Sequence, residues 1–154
     1  MYENPWIFNG EPFLDCGNYA GFVYELIDTM TGKRYIGKKF FWSKRKVPGK
    51  RKKCIKESDW RNYYSSNDEI KKLVKEYGGQ RFKRKIISLH ELERDVNYME
   101  VKMQYLLGVL EKVDENGEPL YYNKNISGKH HFHLVNGIGD RSVFAKDENQ
   151  NPQI

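Results

Sequence analysis

Two tyrosines, one glutamate and a dense run of cations are the residues whose types and spacing could do chemistry. Tyr24 lies in Gly21-Phe22-Val23-Tyr24-Glu25-Leu26-Ile27, an aromatic and aliphatic run that reads as a strand. Asp28-Thr29-Met30-Thr31-Gly32 carries turn chemistry, and Arg34 to Gly37 resumes a strand, which makes a β-hairpin. Period-2 alternation puts Phe22, Tyr24 and Leu26 on one face, while Tyr35 projects from the returning strand. Such a pair can be a cross-strand aromatic contact, or two phenols offered to a substrate. Val96, Glu100, Met103 and Leu107 are spaced for one face of a helix, so a carboxylate enters an apolar stripe. It must reach solvent at the margin, take a cationic partner or bind a metal.

The elements that position these groups follow in order. Met1 to Tyr19 holds Trp6, Phe8 and Phe13 without a clear period and reads as an extended arm with room for a short strand, packing its aromatics on the domain. Phe40-Phe41-Trp42 and Ser43-Lys44-Arg45-Lys46 suggest a short helical turn, and Pro48-Gly49 a loop. Asp68 is a candidate N-cap for a helix carrying Ile70, Leu73, Val74 and Tyr77, which Gly78-Gly79 ends. Phe82 to Leu89 reads as a third strand, and a second helix runs from about Asp95 to Leu110. Asp114 to Pro119 is a turn-rich loop, Leu120 to Ile126 an extended return, and Arg141 to Ile154 a polar tail. His130-His131-Phe132-His133 lacks a Cys or acidic partner at metal-ligand spacing.

The 154 residues suit one domain. Lys and Arg number 27 against 21 Asp and Glu, which favours a polyanionic partner. Between Lys38 and Lys56 stand ten Lys or Arg and no acidic residue. Interleaved with aromatics, that run suits a phosphate backbone and base stacking, although charge runs are also ordinary solvated loops. Cys16 and Cys54, far apart and without a signal peptide, read as reduced thiols. No apolar run approaches the roughly 20 residues that span a bilayer, so the expectation is a soluble, cytoplasmic protein.

Phe22-Val23-Tyr24 and Tyr35-Ile36-Gly37 resemble the two signature segments of the GIY-YIG nuclease superfamily. The second matches in full, while the first has Phe22 and Val23 where the family usually has Gly and Ile. The resemblance covers roughly residues 20 to 126 and takes in Arg45 after the second segment, Glu100 on a later helix and Asn123 in a Tyr-Asn context. Asp59-Trp60 with Tyr64-Ser65-Ser66 look most like phage-encoded branches, including stand-alone homing-type endonucleases.

That resemblance implies an α+β fold: a small three-stranded antiparallel sheet flanked by helices, over residues 20–126. An N-terminal arm (1–19) and a C-terminal extension (127–154) would flank it. It implies hydrolysis of phosphodiester bonds in double-stranded DNA, with Tyr24, Tyr35, Arg45, Glu100 and Asn123 as the catalytic set. Glu100 would ligate Mg²⁺ (or Mn²⁺), Arg45 would hold the scissile phosphate, and Tyr24 would act on the attacking water, helped by Tyr35. Arg51 rivals Arg45. Lys38, Lys39, Lys44, Arg51, Lys52, Lys53, Trp60, Tyr64 and Ser65 are the expected DNA contacts. Many members carry a His before the first long helix; this chain has none between Tyr35 and His90, and Tyr64 with Ser65 or Ser66 stands in that neighbourhood. A nuclease-derived nucleic-acid binder without activity is the alternative. A basic structural protein would leave all these matches to coincidence.

Overall fold

Alternating apolar residues make the centre of the sheet, and the chain builds outward from it. The computed structural model describes residues 1–46, 48–49 and 53–146, and the side chains of these apart from residues 45, 46, 53 and 54. Strand β3 (Gly21–Asp28) pairs antiparallel with β4 (Arg34–Phe40) on one side and with β7 (Phe82–His90) on the other. The N-terminal segment adds β1 (Ile7–Phe8), parallel to β7, and β2 (Glu11–Pro12).

The mixed α+β expectation stands, but the sheet has five strands in the order β2-β1-β7-β3-β4 instead of three. The two extra strands are two residues each, too short to show a period. Trp6 ties them to the core: its side chain is fully buried and its indole N–H donates to the Trp60 carbonyl (2.8 Å).

The helical turn expected over residues 40–46 is a strand. β5 (Trp42–Lys46) pairs antiparallel with β6 (Lys53–Glu57) in a separate two-stranded ribbon. The sequence of this ribbon is mostly charged and shows no apolar alternation, which is why aromatic-then-basic residues misread it.

Helix α1 (Asp68–Tyr77) is capped by Asn67, whose Oδ1 accepts from the Ile70 N–H (3.0 Å), so the expected cap lies one residue late. Helix α2 (Glu93–Leu106) ends at Gly108, whose φ of +61° few other residues would adopt, shortening the expected helix. β8 (Asn125–Ile126) and β9 (His130–His131) form a small hairpin beyond it, followed by the single turns α3 (Phe132–Val135) and α4 (Ile138–Arg141).

Each face of the sheet has its own core. Phe22, Tyr24, Leu26, Phe82 and Ile86 pack with Trp6, Phe41, Trp60, Ile70 and Tyr122 on one face. Val23 and Ile36 pack on the other with Val109, Leu110 and Ile126, covered by Met99, Met103 and Leu107. No helix among the described residues is long and apolar enough to cross a membrane.

Candidate active site

The register of the hairpin sets the site. Tyr24 on β3 stands opposite Gly37 on the edge strand β4. A Cβ at Gly37 would meet the Tyr24 hydroxyl at 2.5 Å and its Cζ at 2.6 Å, so the phenol lies over the bare glycine and reaches the sheet's edge. A β-bulge aids this aim: β7 carries one extra residue opposite the Val23–Tyr24 step. Tyr35 follows on the same face, with ring centroids 6.1 Å apart. Tyr63, after the short 3₁₀ turn Trp60–Asn62, presents its ring edge-on to Tyr24 at 6.1 Å.

Glu100 arrives from the opposite face, on α2, and meets this group at the edge. Its half-sealed carboxyl lies close enough to raise the pKa of both Tyr24 and Tyr35. Burial raises the Glu100 pKa, and the Lys38 ammonium, 3.7 Å away, offsets only part of it. Lys38 itself is parked against α2 by the Asn97 side-chain oxygen (2.5 Å). Burial also pushes Tyr24 well above the ordinary phenol value, and the Tyr63 and Tyr35 phenols add to it. Tyr35 is pushed up to about 12, again by burial, with Ser66 opposing. In the chain itself, then, both signature tyrosines are protonated phenols at neutral pH.

Two grooves flank the cluster. One, about 780 Å³, is lined by Lys38, Lys39, Lys56, Trp42 and Tyr63. Lys39 sits 4.0 Å over the Tyr63 ring and 2.7 Å from Asp59. The other, about 400 Å³, is lined by Tyr35, Glu100, Asn67, Lys124, Asn125 and Ser127, and is rich in amides.

The expected residues divide accordingly. Tyr24, Tyr35 and Glu100 come together. Asn123 is close by but spends its amide on the backbone. Its Oδ1 accepts from the Ile36 N–H (3.0 Å) and its Nδ2 donates to the Ile36 carbonyl (2.8 Å), which Gln104 also engages (3.0 Å). It fixes β4 from outside. Asn123→Ala would strand a buried N–H, and a loss of about 2–3 kcal/mol in denaturant melts is expected.

Arg45 lies on β5 opposite Cys54, with its side chain outside the described set, as is that of Lys53 on β6; Arg51 and Lys52 lie outside the described residues. Lys38 and Lys39 face the first groove, and Lys44 pairs with Glu93 (3.4 Å). Trp60 and Ser65, expected at the DNA surface, are core residues instead. Trp60 is fully buried with its N–H on Glu57 (2.8 Å), and Ser65 is sealed with its hydroxyl accepting from the Asn67 N–H (3.1 Å). Tyr64 turns inward, its hydroxyl accepting from the Asn4 amide (3.0 Å).

Tyr63 and Lys56 are the cluster and groove-lining residues that sequence reasoning passed over. The Tyr63-Tyr64 pair signalled a phenol here, but only the preceding 3₁₀ turn decides which ring faces Tyr24. Among the described residues no three His, Cys, Asp or Glu gather as a metal cage. Comparison with curated proteins and with solved structures returned no match. The family model described as "Putative endonuclease segE, GIY-YIG domain" matches residues 6–126, from the β1 approach to the end of β8. Its span takes in both tyrosine strands, the Tyr63 turn and the Glu100 helix, and on that match the chain belongs to the GIY-YIG nuclease superfamily.

Proposed function

We propose that the chain is a metal-dependent endonuclease that hydrolyses a phosphodiester bond of double-stranded DNA, of the stand-alone homing or phage kind, acting in a host cytoplasm. The observation that carries this is the meeting of three phenols with a half-buried carboxylate at the sheet's edge, between two grooves.

Glu100 fits Mg²⁺ or Mn²⁺: its charge is desolvated and only partly balanced by Lys38, and a hard cation that keeps most of its waters needs few protein ligands. When bound, such a cation neutralises charge gathering on the phosphate in the transition state. Water's oxygen then bonds to phosphorus, one ester P–O bond breaks, and the leaving oxygen collects a proton. Tyr24, a protonated phenol at rest, orients that water through its hydroxyl and relays the proton, with Tyr63 and Tyr35 beside it. Tyr63 takes the place of the missing loop His. Arg45, on the ribbon beside the first groove, is the guanidinium assigned to the scissile phosphate.

The cationic groove supplies affinity. Lys39→Ala and Lys56→Ala should each weaken DNA binding across sequences and flatten the slope of log K against log salt by about 1. Fluorescence anisotropy on a labelled duplex at several salt concentrations measures it.

The inactive-binder reading draws on the raised phenol pKa values, which suit an idle site as well as a relay. Conversion of supercoiled plasmid, with and without Mg²⁺ or Mn²⁺, separates the two. Metal-dependent nicking or linearisation supports the enzyme. A folded chain that shifts DNA across varied sequences without cutting any of them supports the binder.

A further inference from the structure

Strand β7 alternates inward and outward as Phe82, Lys83, Arg84, Lys85, Ile86, and the pattern drives a guanidinium into the core. Arg84 is 1 % exposed. Among the described residues it pairs with no carboxylate. Its Nε donates to the Asn4 carbonyl (2.9 Å), Nη2 to the Glu3 carbonyl (3.2 Å) and Nη1 to the Tyr63 carbonyl (3.0 Å). The Trp6 and Tyr64 rings lie 4.8 and 4.4 Å from its Cζ.

A buried cation without a counter-charge is costly, and a Met or Leu would fill the same space. What Arg84 supplies that they cannot is a fork that grips two segments at once: the N-terminal arm and the residue that closes the 3₁₀ turn. Tyr63 has little else to hold its backbone, since its own N–H reaches the Trp60 carbonyl only at 3.4 Å.

We propose that Arg84 is a positioning residue of the active site, holding the Tyr63 carbonyl and thereby the phenol that faces Tyr24. The role in catalysis rests on the nuclease reading above; the positioning itself does not. Lysine at 84 keeps the charge but delivers one point of contact where the fork delivered three.

The test is a double-mutant cycle with a spectroscopic arm. Arg84→Lys should lower kcat for DNA cutting about 10- to 100-fold, with a smaller change in KM, because Arg84 itself touches no DNA and only the displaced Tyr63 lines the lysine groove. In a Tyr63→Phe background the same change should add less than about twofold. Asn4→Gly is the milder second variant. It releases the amide bonds to Tyr64, Gly79 and Phe82 that anchor the arm, and should act in the same direction with the same dependence on Tyr63.

Independently of cutting, NMR of tyrosines labelled at Cζ should show the Tyr63 and Tyr24 signals shifted in Arg84→Lys, with exposed Tyr98 and Tyr105 unmoved. Multiplying rate losses in the cycle, or unmoved Tyr63 and Tyr24 signals in a folded variant, would overturn the proposal. A wild-type chain that cuts no DNA sinks the nuclease reading alone, and the NMR arm still decides the positioning.

Discussion

Glu100→Gln will abolish cutting and at the same time raise the melting temperature at neutral pH. The first effect follows from the proposed cation ligand: a carboxamide offers no charge, and loss of a transition-state electrostatic partner in a shielded site is worth about 10³-fold or more. The second follows from the sign of the pKa shift. Burial raises the Glu100 pKa above its ordinary 4.5, so the folded chain binds that proton more tightly than the unfolded one. Stability from this group is whole below about pH 4.5 and falls as pH rises through the raised folded-state value. Glutamine removes the penalty. Plasmid cutting and thermal melts at pH 4 and pH 7 check both halves. Normal cutting by the variant would refute the assigned ligand, and an unchanged pH 7 melt would show that the carboxylate is relieved within the chain.

Gly37→Ala is the second change with a large expected effect. The new methyl would press on the Tyr24 hydroxyl at 2.5 Å and on Tyr35 Cε1 at 2.8 Å. The strand cannot retreat, because Asn123 and Gln104 hold Ile36 on one side and the β3 register holds the other. The Tyr24 ring must therefore swing off the edge. Overpacking of this kind costs about 1–3 kcal/mol, and if Tyr24 is the relay proposed above, displacing its hydroxyl by about an ångström costs about 10²-fold in rate. DNA affinity, assigned by the proposal to the lysine groove, should stay. Denaturant melts, plasmid cutting and anisotropy measure the three quantities, and full activity in the alanine variant would show that the phenol need not lie over β4.

Both predictions stand on parts that were legible in the sequence. The hairpin, β7 and the two long helices follow from periods of 2 and 3.6, and the family resemblance singles out Tyr24, Tyr35 and Glu100 at their places on them. The β5–β6 ribbon was not legible, because charged residues paired through their backbones leave no alternation to read. Strands β1 and β2 are too short for any period, and β1 pairs with a strand nearly eighty residues away. The difference between Tyr63 and Tyr64 is a matter of one backbone turn. Asn123 teaches the complementary lesson: a residue standing where a motif expects it has its amide on Ile36.

The N-terminal arm has a consequence for the order in which the molecule becomes competent. Synthesis delivers Trp6 first, yet its berth against Phe22, Tyr24 and the Trp60 carbonyl is complete only after residue 60. Its neighbour Ile7 waits for Lys85, and Glu100 comes later still. A ribosome therefore carries this chain with Trp6 incompletely housed until residue 60 has been made. Such non-local pairing slows folding, and it postpones the meeting of Tyr24, Tyr35 and Glu100 until at least residue 100 has been made.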